Sequence, residues 1–336
     1  MYGGFNQIGR TGILRVPAAT NQALSALSCS KLLNPEFLLL YLNHNVGKWK
    51  RLAASSRKDP NITGSDVGFF KIEYPSLPEQ QKIANFLSAV DSKINTLEKT
   101  HAGLNRYKRG LMQQLFSQAR RFKDDNRQDF SDWEEKHLGD VFEWVKTNSL
   151  SREFLTHDST TKVQNIHYGD IHTKFKAQFF QGSETVPYVS ITAPIKPFNE
   201  DEYCQTGDLV IADASEDYAD IGKTIEVMQV KNKTLVAGLH TYIARPIESQ
   251  LVLGFSGYLF QSAIMRKQIM RMAQGVSVLG ISKGNMDKLR FPLPHPKEQQ
   301  KIAQALSTLD NKITAAATNI TQLKTFKKGL LQQMFV

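Results

Sequence analysis

The chain has 336 residues, of which 41% are hydrophobic, and carries a formal net charge of +10 at pH 7. Its length predicts about two domains, and its apolar content excludes a disordered chain. With two cysteines, no signal-peptide pattern and no apolar run long enough to span a bilayer, we expect a cytoplasmic protein that does not contact a membrane. The basic excess favours a polyanionic partner, nucleic acid or anionic lipid.

The first segment, residues 1–76, is predicted to be the C-terminal part of a globular domain, because it parallels a later part of the chain. Ile8-Gly9-Arg10-Thr11 matches Ile221-Gly222-Lys223-Thr224, and residues 71–75 match residues 288–292. No counterpart of residues 132 to about 215 precedes this segment, so we expect an incomplete domain and the least stable part of the chain. Asn34 and Pro35 predict the start of a helix, as N-cap and first helical residue.

A long helix is predicted over residues 77–117, and residues 295–336 repeat it at a constant offset of 219. In both copies, apolar residues recur at alternating steps of four and three residues, which is the heptad pattern of a coiled coil. Pro78 and Pro296 fit a first helical turn. The apolar seam consists of Ile83, Leu87, Val90, Ile94, Leu97, Leu104 and Leu111 in the first copy, and of Ile302, Leu306, Leu309, Ile313, Ala316, Ile320, Leu323, Leu330 and Met334 in the second.

Heptads alone leave the pairing of these helices open. The two helices can pair with each other, in parallel or antiparallel fashion, with a partner protein, or with a second copy of the chain. Residues 118–131, which are polar and charged, predict a linker between the first helix and the next segment.

The segment 132–294 is predicted to be a complete globular domain of α+β class. Residues 207–212 and 241–244 have the short apolar runs of strands, and residues 251–272 form an apolar stretch typical of a helix.

Catalytic and cofactor motifs are not evident. Ile221-Gly222-Lys223-Thr224 resembles the end of a P-loop, but Asp217 stands where that motif needs glycine, so a β-turn is the better prediction. The histidines, among them His167, His172 and His240, are not at metal-ligand spacing and are interpreted as surface or core residues. We therefore predict no catalytic residue, no metal site and no cofactor.

Basic and hydrogen-bonding residues recur after the apolar helix of each globular segment. Lysine and arginine neutralise phosphates, whereas glutamine, asparagine and arginine hydrogen-bond to base edges. The ordinary alternative is a solvated helix face. The candidate DNA-binding residues are Lys48, Lys50, Arg51, Arg57, Lys58 and Asn61 in the first segment, and Arg266, Lys267, Arg271, Gln274, Ser277, Lys283 and Asn285 in the second.

The chain resembles the specificity (S) subunit of type I restriction-modification systems (the HsdS family). The resemblance covers essentially the whole chain and rests on three motifs. They are Leu77-Pro78-Glu79-Gln80-Gln81-Lys82-Ile83-Ala84 with its repeat, the helix end Lys108-Arg109-Gly110-Leu111-Met112-Gln113-Gln114-Leu115-Phe116, and the turn motif Gly207-Asp208-Leu209.

This resemblance implies that residues 132–294 form a complete target recognition domain and that residues 1–76 form the C-terminal part of another. In the family, each of two such domains reads half of a bipartite double-stranded DNA sequence. Residues 77–117 and 295–336 become spacer helices that pair antiparallel and dock methyltransferase subunits, which restriction subunits join. It implies a non-catalytic subunit. A coiled-coil adaptor that binds only protein is the main alternative, and an enzyme whose pocket gathers distant residues is a third possibility.

Overall fold

The computed structural model describes residues 9–21, 23–54, 62–159, 161–194, 197–231, 234–247 and 250–335. The chain divides into two compact units. Unit 1 comprises Met1–Gly103 and Ile313–Val336, and unit 2 comprises Leu104–Lys312.

Unit 1 contains three shorter helices and part of each long helix. The helices are α1 (Pro35–His44), α2 (Val46–Ala54), α3 (Gly64–Gly68), and parts of α4 (Leu77–Phe116) and α10 (Pro296–Met334). As predicted, α1 begins after Asn34, whose side-chain oxygen accepts a hydrogen bond from the Phe37 N–H at 3.0 Å. Trp49 of α2 is fully buried and stacks on Phe70, with 3.8 Å between ring centroids.

Unit 2 contains two larger sheets, two short ribbons and five short helices among its described residues. The five-stranded sheet consists, in spatial order, of β2 (Phe142–Val145), β11 (Thr241–Pro246), β7 (Leu209–Ala212), β9 (Thr224–Gln229) and β5 (Gln178–Phe180). The four-stranded sheet consists of β10 (Leu235–Ala237), β4 (Gln164–Ile166), β6 (Tyr188–Val189) and β3 (Leu155–Thr156). The ribbons pair β1 (Glu134–His137) with β13 (Arg290–Leu293), and β8 (Ala214–Ser215) with β12 (Leu279–Gly280). The helices are α5 (Leu138–Val141), α6 (Tyr168–Thr173), α7 (Ser256–Gln261), α8 (Ala263–Met272) and α9 (Lys283–Asp287).

The five-stranded sheet is buried on both faces. On β7, Leu209 and Ile211 belong to one apolar cluster, whereas Val210 and Ala212 belong to another. Successive side chains of a strand point to opposite faces, so a central strand covered on both sides needs an unbroken apolar run. Residues 209–212 form this run, and the strand predicted within residues 207–212 is confirmed.

The predicted apolar stretch 251–272 forms two helices rather than one. Ser262 leaves the helical conformation, with ψ 151°, and caps α8 by accepting a hydrogen bond from the Met265 N–H at 3.4 Å. A serine hydroxyl that caps a new helix competes with continuation of the preceding one.

The long helices pair antiparallel. In unit 1, Asp91 and Glu98 of α4 form ion pairs with Lys327 and Lys324 of α10, at 2.6 and 2.7 Å. As residue numbers increase along α4, those of the paired residues decrease along α10. This excludes the parallel alternative within this unit.

The corresponding contact in unit 2 joins Lys108 of α4 to Asp310 of α10, with 2.6 Å between Nζ and Oδ1. The repeat relates the two lysine–aspartate pairs, because Lys108 is equivalent to Lys327 and Asp91 to Asp310. The predicted seam residues are mostly buried or half-buried along both helices. The predicted α+β class with an antiparallel helix pair is confirmed.

A buried glutamine fastens the start of α4 to the loop before α1. The Gln80 side chain accepts a hydrogen bond from the Asn34 N–H at 2.8 Å, and donates to the carbonyl oxygens of Leu32 at 3.0 Å and Pro75 at 2.8 Å. Its polar atoms are thus satisfied although the residue is fully buried.

The equivalent glutamine of α10 makes the equivalent bonds in unit 2. Gln299 accepts from the Val252 N–H at 2.9 Å and donates to the carbonyl oxygens of Gln250 and Pro294, at 2.9 and 2.8 Å. The start of each long helix is therefore fixed by the same set of glutamine hydrogen bonds. This agrees with the sequence parallel between residues 1–76 and the later segment.

Candidate nucleic-acid interface

A tight hairpin follows α8 in unit 2. Gln274 and Gly280 exchange two backbone hydrogen bonds, with N···O distances of 2.9 and 2.7 Å. Gly275 has φ +132°, and a Cβ there would lie 1.9 Å from the Val278 carbonyl oxygen, so only glycine fits. This loop holds Val276 fully in solvent.

An open groove of about 450 Å³, called here the reading groove, lies beside the hairpin. Asp213 is a charged residue of its lining, and the Asp213 Oδ1 lies 3.3 Å from the His240 Nδ1. Burial and the neighbouring Asp213 raise the pKa of Tyr242 to about 12, so its hydroxyl remains a hydrogen-bond donor at neutral pH. The groove is lined by Asp213, Ala214, His240, Tyr242, Gln274, Val278, Leu279, Gly280, Ile281 and Ser282.

Three histidines, of which only His240 is distant in sequence, surround one tyrosine. The Tyr168 ring centroid lies 4.6 Å from that of His167, 5.6 Å from that of His172 and 5.4 Å from that of His240. His240 also lines the reading groove, so this aromatic cluster extends from the groove to α6.

His167 is a structural residue of this cluster. Its Nδ1 accepts a hydrogen bond from the Gly169 N–H at 3.1 Å and caps α6. Burial, with a smaller effect of the Arg152 charge, lowers the pKa of His167 to about 4, so the ring is neutral at pH 7.

Three of the predicted basic residues lie on α8 and α9, the helices that precede and follow the hairpin in the chain. Lys267 and Arg271 are exposed one turn apart on α8. The Lys283 ammonium lies 5.6 Å from the ring centroid of Trp144 and 5.3 Å from that of Tyr242, which are cation–π distances. These contacts hold the Lys283 charge at the edge of the groove.

Two other predicted residues make contacts within the fold. Arg266 is half-buried and donates to the carbonyl oxygens of Tyr218 at 3.4 Å and Ala219 at 3.1 Å, and burial lowers its pKa. The Asn285 side chain donates to the Met272 carbonyl at 3.4 Å. Both residues fix loops beside the groove.

The model of the family described as "Type I restriction modification DNA specificity domain" matches residues 4–106 and 130–325. The chain belongs to this family. It is therefore a DNA sequence-recognition subunit of a type I restriction-modification system and not a catalytic subunit. Specificity subunits of these systems bind DNA and assemble with methyltransferase and restriction subunits.

Relatives of the specificity family include two proteins of Methanocaldococcus jannaschii. The chain is 26% identical over 307 residues to the type I restriction enzyme MjaVIII specificity subunit, covering 87% of this chain and 68% of the relative. It is 24% identical over 306 residues to the putative MjaX specificity subunit, covering 89% and 67%.

Two solved structures share the fold. One is the S subunit of a type I restriction-modification system from M. genitalium, with TM-score 0.57, 17% identity, and coverage of 90% of this chain and 73% of that chain. The other comes from a structural study of complex assembly and conformational transition of the type I system, with TM-score 0.52, 19% identity and coverage of 91% and 72%.

The first group of predicted DNA-binding residues lies in unit 1. Lys48, Lys50 and Arg51 are exposed on α2, on either side of the buried Trp49. Arg57, Lys58 and Asn61 lie outside the described residues, so their placement stays a prediction. Ser277 is exposed in the unit 2 hairpin, next to Val276.

Sequence reasoning missed the groove itself. His240 and Tyr242 lie on or beside a strand that is far from the basic helix in sequence. The pairing of β11 with β7, together with that of β8 with β12, brings them to Gln274. The bracketing glycines Gly275 and Gly280 were the one available signal for the hairpin.

The described residues contain no group of three or more histidine, cysteine, aspartate or glutamate side chains placed to hold a metal ion. Within the same residues, no helix has the length and apolar character needed to cross a bilayer.

Proposed function

We propose that unit 2 reads one half of a bipartite double-stranded DNA target through the reading groove. The observation that carries this proposal is the Gln274–Gly280 hairpin beside the groove, with exposed Lys267 and Arg271 on the preceding helix α8 and with the Lys283 charge held against Trp144 and Tyr242. Phosphate contacts position a protein on DNA, whereas polar side chains in a groove distinguish base pairs.

The lining residues offer complementary base contacts. Gln274 can pair with the N6 and N7 edge of adenine, and the Asp213 carboxylate accepts a hydrogen bond from the N4 amine of cytosine. Val276, held in solvent by its hairpin, suits contact with a thymine methyl group. Lys48, Lys50 and Arg51 supply phosphate contacts from unit 1.

Mapping of methylated sites tests this assignment. The chain is assembled with its cognate methyltransferase subunit, and methylated positions are sequenced in a library of random DNA. Gln274→Ala is expected to relax or change the recognised base at one position of one half-site. Gln304→Ala, an exposed glutamine of α10, is the matched control. A motif unchanged by Gln274→Ala, with normal methylation, contradicts the assignment.

We further propose that the paired helices fix the spacing between the two half-sites. Deleting one heptad from each helix, residues 94–100 and 313–319, removes about 10 Å of helix. At about 3.4 Å per base pair, the gap in the methylated motif should shrink by about three base pairs. A variant that folds, methylates and keeps its original gap contradicts this proposal.

The complex is proposed to act in the cytoplasm, with the methyltransferase and restriction subunits supplying all chemistry. Salt dependence separates this function from that of an adaptor that binds only protein, because a phosphate binder loses affinity steeply as salt rises. Failure of the assembled complex to bind DNA at any salt concentration would favour the adaptor.

A further inference from the structure

A second pocket, of about 480 Å³ and called here the loop pocket, lies where three loops of unit 2 meet. Its lining includes Lys162 from the loop before β4, Glu184 from the loop after β5 and Lys231 from the loop before β10. Tyr188 of β6 also lines it. Small-ligand sites occupy about 300–1,000 Å³, so the volume suits a small molecule.

A buried glutamine joins the three loops. Gln181 is 5% exposed, and its Nε2 donates hydrogen bonds to the Gln164 Oε1 at 2.7 Å and to the Thr234 Oγ1 at 2.9 Å. Its Oε1 accepts a hydrogen bond from the Lys231 N–H at 2.6 Å. Both polar atoms of this side chain are therefore used within the protein, and they fix the backbone that carries the lining. A preformed site of this kind loses little conformational entropy when a ligand binds.

The loop pocket carries two lysine side chains without a carboxylate partner. Lys162 and Lys231 are both exposed, and neither forms an ion pair with another of the described residues. Lys174 of the same unit, by contrast, pairs with Asp170 at 2.8 Å. Two unpaired ammonium groups on one pocket favour an anionic ligand, and lysine is a common partner of phosphate.

A half-buried carboxyl group belongs to the same lining. Burial raises the pKa of Glu184, and the charge of Lys176 together with a backbone hydrogen bond from Lys176 opposes this effect. A carboxylate accepts hydrogen bonds from an amine and repels a second anion. A ligand of the loop pocket must therefore present an anionic group to the lysines and a hydrogen-bond donor to Glu184. The backbone of duplex DNA presents only anions, and a duplex with a major groove about 12 Å wide is too large to enter this pocket.

The loop pocket and the reading groove lie at opposite ends of the five-stranded sheet. Asp213 of the groove follows β7, and the preceding Ala212 N–H donates to the Lys223 carbonyl oxygen at 2.9 Å, at the start of β9. Lys231 follows the end of β9, eight residues beyond Lys223. At about 3.3 Å per residue the separation is about 26 Å. A ligand of the loop pocket therefore leaves the reading groove open.

We propose that the loop pocket binds a nucleotide whose base carries an exocyclic amine. Lys162 and Lys231 contact the phosphate, and Glu184 accepts a hydrogen bond from the amine. The Tyr188 ring packs against the base. Adenine, cytosine and guanine carry such an amine, whereas uracil does not. This binding activity is separate from DNA recognition through the reading groove.

Calorimetric titration of the full chain with AMP, CMP, GMP and UMP tests the proposal. At least one of the first three nucleotides should bind with one-to-one stoichiometry. UMP, which lacks the amine, should bind at least about tenfold more weakly than that nucleotide, because it cannot donate to the carboxylate. Absence of binding by AMP, CMP and GMP at millimolar concentration, or equally tight binding of UMP, would overturn the proposal.

Removal of the two lysines tests the phosphate contacts. Lys162→Ala/Lys231→Ala should weaken binding of the preferred nucleotide about 30-fold or more, without changing stability, because both side chains are exposed. Lys288→Ala/Lys312→Ala removes the same charge from exposed positions outside the loop pocket and is the matched control. An unchanged affinity in the first variant, or an equal loss in the control, would contradict the proposed site.

Glu184→Gln tests the base contact separately from the phosphate contacts. An amide donates as well as accepts hydrogen bonds, so this variant should bind the preferred nucleotide about tenfold more weakly and UMP no more weakly than the wild type does. Glu216→Gln changes an exposed glutamate outside the loop pocket and should keep the full preference over UMP. A preference that Glu184→Gln leaves intact would overturn the assignment of a base to this pocket.

DNA affinity of the chain assembled with its methyltransferase identifies the alternative ligand. The Lys162→Ala/Lys231→Ala complex should bind DNA as tightly as the wild type, because the loop pocket lies away from the reading groove. A variant complex that loses DNA affinity, in a protein whose wild type binds none of the nucleotides, would show that these lysines contact DNA phosphates instead. That result would overturn the nucleotide site while leaving the proposed function in place.

Discussion

Glu298 at the start of α10 is completely buried, whereas its counterpart Glu79 at the start of α4 is exposed. In unit 2, Arg121 and Trp133 donate to the Glu298 carboxylate at 2.8 and 2.9 Å. The same residue type at the same place in a repeat thus acts as a surface charge in unit 1 and as the centre of a buried network in unit 2.

The neighbouring glutamines show the opposite behaviour. Gln80 and Gln299 are both fully buried and make corresponding hydrogen bonds. The duplication has therefore kept the glutamine hydrogen bonds that fix the start of each helix. The residues that bury this helix start differ between the two units. In unit 2, the segment between α4 and β1, which carries Arg121 and Trp133, buries the start of α10.

Removal of the two glutamates gives the largest expected contrast. Glu298→Ala should lower the free energy of unfolding by about 3 kcal/mol, because it removes the buried carboxylate that pairs with Arg121 and accepts a hydrogen bond from Trp133. Glu79→Ala should change it by less than about 0.5 kcal/mol, as at other exposed sites. Equal effects in urea titrations of the two variants would contradict the comparison.

The two lysine–aspartate pairs give a second contrast. Asp310 accepts hydrogen bonds from Lys108 at 2.6 Å and from the Tyr258 hydroxyl at 2.8 Å. Burial, followed by the charge of Asp310, raises the pKa of Tyr258. Asp310→Ala should cost about 2 kcal/mol, because it leaves this buried hydroxyl and Lys108 unpaired.

The matched change in unit 1 is Asp91→Ala. Asp91 and Lys327 are more exposed than their counterparts, so loss of this pair should cost less than about 1 kcal/mol. Thermal unfolding of both variants, with Asp310→Asn as a conservative substitution, measures the difference. A larger loss of stability for Asp91→Ala than for Asp310→Ala would show that burial does not determine how much each pair stabilises the fold.

Much of the fold could be predicted from the sequence, because its cause is local. The heptad seam, the N-cap at Asn34, the first-turn proline Pro296 and the apolar run at β7 all follow from periodicity or backbone chemistry, and the structure confirms them. The division of residues 251–272 into α7 and α8 depends on the cap at Ser262, a local signal that apolar content concealed.

The candidate site was less predictable, because it depends on tertiary placement. Residue type alone offers no reason to separate Arg266 and Asn285, which bind backbone carbonyls, from exposed Lys267 and Arg271. His167 and His172 lie beside Tyr168 in sequence, whereas His240 reaches this tyrosine only through the tertiary fold.

Acid should weaken unit 2 through His167. The pKa of this residue is about 4 in the folded chain and near 6.5 when unfolded, so below pH 6.5 the unfolded state binds more protons. Its stabilising contribution is complete above pH 6.5 and is lost as pH falls toward 4.

His167→Asn tests this effect, since asparagine can still cap α6 but does not titrate. Urea unfolding between pH 4 and pH 7 should show a shallower pH dependence in the variant than in the wild type. Identical slopes would show that His167 is not a source of acid sensitivity in unit 2.

The smallest expected effect concerns the hairpin. Val276→Ser should weaken DNA binding by the assembled complex about fivefold through loss of an apolar base contact, without changing stability. Ile191→Ser changes another exposed apolar residue of unit 2, which lies outside the hairpin, and should leave affinity unchanged. Equal affinities of both variants and the wild type, in fluorescence anisotropy, would remove Val276 from the reading surface.

DNA affinity as a function of salt concentration tests the central claim most directly. For the chain assembled with its methyltransferase, Lys267→Ala/Arg271→Ala should reduce the slope of log K against log salt by about 2, in proportion to two lost phosphate contacts. Lys93→Ala/Lys99→Ala on α4, which removes the same charge from another exposed surface, should leave the slope unchanged. An unchanged slope and affinity in the α8 variant would contradict DNA recognition through the reading groove.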